Sequence, residues 1–294
     1  MHRTGKIFKA TGGFYYVDSE GVETTCRARG IFRNENRSPL VGDEVEIQIN
    51  EDGSGTIMEL LPRKNSIVRP PLANLDHMVV VLSVVDPVPN FFVADKFLAL
   101  LEKADIDPIV AVTKSDLQDA APAAERYRSA GYPAYIVSGS TGEGVSALSD
   151  ALAGSLSAFS GNSGVGKSSL LNAIDPRFEI SVGDTSKKLG RGRHTTRHVE
   201  LFRLPNGALV ADTPGFSSIT LQEMGGIGKE ELAGCFREFG PYLGKCKFVD
   251  CSHTCEKGCA VLQALEEGAI HPGRHESYVQ LYNEVKDIKP WEQK

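Results

Sequence analysis

The sequence predicts an α/β protein in three parts: a small antiparallel β-barrel, a parallel sheet covered by helices, and a small helical, cysteine-rich segment. Three observations predict it. Apolar and polar residues alternate at period two, with frequent turn residues, up to about residue 68, as half-buried strands require. From about residue 74, short apolar runs alternate with amphipathic stretches, the pattern of a sheet whose two faces are both covered. Five of the six cysteines fall between Cys235 and Cys259.

In the barrel, strands are expected over 14–17, 22–29 and 45–49, with turns at Gly12-Gly13, Gly21, Gly42-Asp43 and Asp52-Gly53. Pro62 and Pro70-Pro71 mark a linker. The sheet takes its strands from 77–85, 109–113, 134–138, 156–160 and 209–212. A helix is expected over 91–104, with Phe92, Lys96, Ala99 and Lys103 on one side and Phe91, Phe97, Leu98 and Leu101 on the other. A hairpin joins 199–204 to 208–211 across Pro205-Asn206-Gly207. The last part reads as helices over 229–239, 260–267 and 274–285, so the domains expected are 1–68, 74–222 and 223–294.

With 41% hydrophobic and 24% charged residues in 294, disorder is excluded. The longest apolar run, 78–85, is broken by Ser83 and falls far short of the roughly 20 residues that span a bilayer. Charges stand at the N-terminus where a secretory signal would place its apolar region, so a cytoplasmic protein is expected, without a membrane partner or a disulfide framework. The net charge of -6 excludes coating of nucleic acid by bulk electrostatics. The stretch 177–203 nevertheless holds Arg177, Lys187, Lys188, Arg191, Arg193, Arg197 and Arg203 against Glu179, Asp184 and Glu200, a surplus of four positive charges suited to phosphates.

Gly161-Asn162-Ser163-Gly164-Val165-Gly166-Lys167-Ser168, followed by Ser169, lies between an expected strand and an expected helix. Such a loop turns backbone N–H groups inward around phosphates, Lys167 neutralises the β and γ oxygens, and the Ser168 hydroxyl ligates Mg²⁺. Asp212-Thr213-Pro214-Gly215 ends a second apolar strand, where Asp212 can hold the Mg²⁺ shell and the Gly215 N–H can sense a γ-phosphate. Thr113-Lys114-Ser115-Asp116 ends another strand. There Asp116 can accept from N1–H and the exocyclic amine of guanine, a donor pair that adenine lacks, while the Lys114 stem packs over the base. Ser138-Gly139-Ser140 can bring a backbone N–H to the guanine O6. The ligand implied is GTP or GDP. An ordinary GTPase carries its phosphate loop ahead of its base reader, whereas here Asp116 precedes Lys167, so the domain reads as a circularly permuted P-loop GTPase.

Cys246, Cys251, His253 and Cys259 offer three thiolates and an imidazole within one loop, the donor set of a closed structural Zn²⁺ site holding one ion. Cys255 in place of Cys251 or His253 is the alternative set.

Together with the barrel, the permuted order, Gly-Arg-His-Thr-Thr at 192–196 and the spacing Cys-x4-Cys-x-His-x5-Cys, these motifs resemble the RsgA (YjeQ) family of small ribosomal subunit biogenesis GTPases over essentially the whole chain. The resemblance implies an N-terminal OB-fold, a permuted GTPase domain and a zinc domain. It further implies binding to the maturing 30S subunit and its rRNA, with GTP hydrolysis stimulated by the ribosome. A cytoplasmic monomer is expected, with no DNA partner. The alternative function is an RNA-binding scaffold that uses GTP only as a structural ligand. Phe216 stands where Ras-like enzymes carry a water-orienting Gln, and His194 resembles the histidine proposed for that role in the family; contact with rRNA is the other reading of His194. Thr195 or Thr196 is expected to meet Mg²⁺ and the γ-phosphate. Thr113 replaces the Asn usual in the guanine motif, with the loss of a bracing amide, and Gly139 replaces a frequent Ala, a change expected to matter little.

Overall fold

The computed structural model describes residues 2–30, 32, 37–67, 71–178, 180, 199–212 and 226–288. His194, Thr195, Thr196 and Gly215 lie outside these residues, as do Lys187, Lys188, Arg191, Arg193 and Arg197 of the basic stretch.

Five strands build the barrel: β1 (His2–Thr11), β2 (Phe14–Ser19), β3 (Val22–Ala28), β4 (Glu44–Ile49) and β5 (Gly55–Leu60). They pair in the order β1-β2-β3-β5-β4, and β4 returns to β1 with His2 opposite Gln48 and Lys6 opposite Glu44. That closure removes free edges and is the five-stranded OB-type barrel. Ile7, Val17, Cys26, Val45, Ile47 and Ile57 fill it without solvent exposure. The period-two reading missed β1 because its register shifts between Ile7 and Lys9, and Ile7 is its one fully buried residue.

The described part of the expected linker is a packed joint. β6 (Ser66–Ile67) and β7 (Leu72–Ala73) pair with each other, and Ile67 and Leu72 are buried. The Asn65 side chain donates to the carbonyls of Leu75 (2.8 Å) and Asp105 (2.9 Å) and accepts from the Leu75 N–H (2.9 Å).

The central domain runs β8 (His77–Ser83), α1 (Phe91–Lys103), β9 (Asp107–Thr113), α2 (Ala121–Arg128), β10 (Ala134–Ile136), α3 (Val145–Ala151), β11 (Leu156–Ser160), α4 (Lys167–Ile174), β12 (Glu200–Arg203) and β13 (Leu209–Asp212). The strand order is β10-β9-β8-β11-β13-β12, parallel except for β12. Alternate residues of one strand serve opposite helix layers. Val80 and Leu82 of β8 pack with Ala94, Leu98 and Leu101 of α1, whereas Val79 and Val81 pack with Leu148 of α3 and Leu170 and Leu171 of α4. That two-sided burial is why the strands read as continuous apolar runs. In sheet order β11 lies between β8, which precedes it in the chain, and β13, which follows it, as a permuted chain requires.

The sheet continues into the barrel where Lys9 of β1 pairs with Glu200 of β12, a contact reinforced by their ion pair at 2.8 Å. Arg203 reaches Asp18 at 2.7 Å from the same strand.

In the C-terminal part, α5 (Lys229–Leu232), α6 (Ala260–Glu266) and α7 (Pro272–Val285) surround the cysteine loop. The helix expected over 229–239 is broken. Short 3₁₀ turns follow α5 at Ala233–Cys235 and Arg237–Tyr242, separated by the extended Phe236, and Pro241 lies within the second. A proline cannot donate the N–H that a continuing α-helix needs.

Candidate nucleotide and metal sites

The motif-bearing strands end on one edge of the parallel sheet, where open α/β sheets bind ligands. β11 leads into the phosphate loop and α4 leaves it. Gly164 and Gly166 hold φ of 81° and 90°, a left-handed conformation that favours glycine, and a Cβ at Gly161 would lie 2.7 Å from the Val81 carbonyl oxygen. Val165 is buried and anchors the loop, while Asn162, Ser163 and Gly164 face solvent. Lys167, Ser168 and Ser169 form the first turn of α4, whose N–H groups have no partners within the helix and point toward the loop.

Thr113, 1% exposed at the end of β9, ties the segment that carries Asp116 to this loop. Its Oγ1 donates to the Val165 carbonyl at 2.5 Å and lies 3.1 Å from the Leu82 carbonyl. The bracing expected to be lost with the missing amide is thus supplied by a hydroxyl. Lys114, at φ 63°, directs Nζ to the Asp86 carbonyl, and its Cε lies 4.0 Å from the Cβ position of Gly166. The lysine stem therefore runs beside the phosphate loop.

Asp116 is exposed, and Ser138 Oγ donates to its Oδ1 at 2.6 Å and Ser140 Oγ to its Oδ2 at 2.9 Å. The hydrogen bonds from Ser138 and Ser140 hold its carboxyl below the ordinary carboxylate range, keeping it an ionised acceptor. Ser115 Oγ donates to Glu143 at 3.0 Å. A Cβ at Gly139 would lie 2.7 Å from the backbone carbonyl carbon of Ser169. Gly139 is therefore a close-approach position against α4, where the sequence had suggested that alanine would change little. The contacts of Ser140 and Glu143 were missed; the signal for Ser140 was its two-residue spacing from Ser138.

Asp212 closes β13 directly after Ala211, which pairs with Ala158 of β11, so its backbone lies beside the strand that feeds the phosphate loop.

The structure also gathers Cys246, Cys251, His253 and Cys259, whose ligand atoms all lie within 4.8 Å of one another. Cys246 Sγ is 3.8 Å from Cys259 Sγ, and His253 Nδ1 is 3.5 Å and 3.4 Å from these two sulfurs. A tetrahedron with metal–sulfur bonds of about 2.3 Å has sulfur–sulfur edges of about 3.8 Å, so the donors fit such a centre. Burial raises the Cys251 thiol and lowers the His253 ring, which leaves the imidazole neutral and able to ligate. The Ala260 N–H points at Cys246 Sγ (3.3 Å), and His275 and Tyr278 hold the carbonyls of His253 and Ser252, each at 2.8 Å. Cys255 is exposed and outside the cluster, so the alternative ligand set is not the one assembled.

Residues 60–222 match the RsgA GTPase family model and residues 4–57 the RsgA N-terminal domain model. The small ribosomal subunit biogenesis GTPase RsgA of Geobacillus sp. (strain WCH70) is 47% identical over 292 residues, covering 97% of this chain and 98% of that protein. The protein of the same name from Moorella thermoacetica is 45% identical over 283 residues, covering 96% and 97%. Among solved structures, YjeQ from Thermotoga maritima aligns with a TM-score of 0.82 at 35% identity, over 98% of this chain and all of that one. YloQ, described as a circularly permuted GTPase, aligns with a TM-score of 0.82 at 40% identity, over 99% and 97%. Relatives of this closeness, spanning barrel, permuted domain and cysteine loop alike, establish that the chain belongs to the RsgA GTPase family.

Proposed function

We infer that the chain is a GTPase that binds the maturing small ribosomal subunit and assists its late assembly, with hydrolysis stimulated by the ribosome. The observation that carries this reading is the meeting of phosphate loop and guanine reader on one sheet edge, tied by the Thr113 hydroxyl to the Val165 carbonyl. Asp116 reads the base, the Gly139 N–H faces the guanine O6, and the stretch from Gly161 to Ser169 cradles the phosphates with Lys167. The Ser168 hydroxyl and the Asp212 carboxylate are the oxygen donors that would hold Mg²⁺. When bound, Mg²⁺ supplies charge neutralisation at the β- and γ-phosphates. His194 orients the attacking water, and Thr195 or Thr196 and the Gly215 N–H respond to the γ-phosphate. Cys246, Cys251, His253 and Cys259 hold one structural Zn²⁺, with no position left for a reacting water.

In this reading 1–68 and 223–294 dock the protein on the subunit and its rRNA, while 74–222 times release. The protein works as a cytoplasmic monomer, without DNA; among the described residues no helix is long and apolar enough to cross a membrane. Asp116→Asn tests the nucleotide assignment, since an amide facing the base accepts a xanthine edge better than a guanine edge. Competition binding is expected to show preference moving from GDP to XDP. Retained GDP preference would remove Asp116 from the reader's role.

A further inference from the structure

We propose that Ser140 is a positioning residue for guanine recognition, the second of two hydroxyls that together fix the plane of the Asp116 carboxylate. The proposal rests on Asp116 as the base reader. The two serines divide the carboxylate between them, Ser138 Oγ donating to Oδ1 at 2.6 Å and Ser140 Oγ to Oδ2 at 2.9 Å. Rotation of an aspartate carboxylate about its last torsion is broad and roughly two-fold, so one donor leaves the group free to swing about the bonded oxygen. Two donors on different oxygens define its plane.

Guanine needs that plane. Its N1–H and exocyclic N–H stand side by side in the plane of the ring, and both are satisfied only when the two carboxylate oxygens lie in that plane. Each oxygen has two acceptor directions, so a serine and a base donor can share it. The clamp is itself anchored at Ser138 and at Gly139. The Thr141 N–H donates to Ser138 Oγ at 3.2 Å, and Gly139, between the two serines, lies against the Ser169 backbone in the first turn of α4. The base reader is thereby set relative to the helix that begins at the phosphate loop.

Inosine lacks the exocyclic amine and engages one oxygen, so it depends less on the orientation of the plane. The test is equilibrium binding of GDP, IDP and XDP to the full chain, comparing wild type with Ser140→Ala, Ser140→Thr and Asp116→Asn. Loss of a hydrogen bond to a charged group predicts GDP affinity weaker by about tenfold in Ser140→Ala and IDP affinity by less than about threefold. Ser140→Thr, which keeps the hydroxyl, is expected to bind GDP within about twofold of wild type. Ser140→Ala binding GDP as wild type does, or losing GDP and IDP equally, would overturn the proposal. If Asp116→Asn moves preference to XDP while Ser140→Ala leaves the GDP-to-IDP ratio unchanged, the Ser140 role alone fails. If Asp116→Asn moves nothing, the reader fails and the proposal with it.

Discussion

A single hydroxyl, that of Thr113, joins two motifs 52 residues apart, donating to the Val165 carbonyl from the end of β9, which β8 separates from β11 in the sheet. Thr113→Val keeps shape and burial but removes the donor from that carbonyl. A hydrogen bond of this kind is worth roughly 1 kcal/mol, so GDP affinity is expected to fall by about fivefold in equilibrium titrations, and Thr113→Asn to recover it. Wild-type affinity in Thr113→Val would show that the tie has no bearing on the loop. Residues whose chemistry is local were legible in sequence: the glycines of the loop at 161–168, and the cysteines and histidine that meet in one cluster suited to a metal. Those whose effect depends on a contact across the fold were not. Thr113 read as a missing amide because composition does not reveal which carbonyl its shorter side chain reaches, and Gly139 read as replaceable because Ser169 is thirty residues away in the chain.

Elements were legible where burial is two-sided and continuous, as in β8, β9 and β11, and less so where one face is wet or the backbone irregular. β1 escaped through its register shift, and the helix at 229–239 was over-extended because apolar spacing continues through two 3₁₀ turns that Phe236 separates, the second containing Pro241. The start of α7 carries a pH dependence. His271 Nδ1 accepts the Gly273 N–H at 3.1 Å, a bond that the protonated ring cannot make. Burial, and after it Arg126 nearby, lower this ring below its ordinary value of 6.5. Below that value the unfolded chain binds the proton more readily than the folded one, so stability is present at neutral pH and falls as pH drops through 6.5 and below. Asn caps helices without titrating in this range. Thermal melting of His271→Asn, measured against wild type from pH 7.5 to 5.5, should therefore show a flatter decline; parallel declines would exclude His271 as a contributor.

Three parts of the chain are fastened together by charge pairs between residues far apart in sequence, the aspect least accessible to sequence reading. Asp95 on α1 is fully buried and accepts from Arg274 of α7 at 2.8 Å and from Arg126 of α2 at 2.5 Å, while Glu238 takes the other side of Arg274 at 2.7 Å. Each element alone shows only an isolated charge in an amphipathic pattern. Removing one partner leaves buried guanidinium charge uncompensated, so Asp95→Asn is expected to cost about 3–5 kcal/mol in chemical denaturation. A loss below about 1 kcal/mol would show that the network is not a fastening of the two domains. On the other side, Lys9–Glu200 and Arg203–Asp18 join the barrel to β12, the strand that ends the basic segment. Arg177 and Arg203 of that segment are paired with Asp175 and Asp18. Phosphate release from GTP with and without isolated small ribosomal subunits tests the central claim. Subunits are expected to raise the rate by more than about tenfold, as a partner that completes or orders a GTPase site would do. The same rate in both conditions would contradict a ribosome-stimulated GTPase.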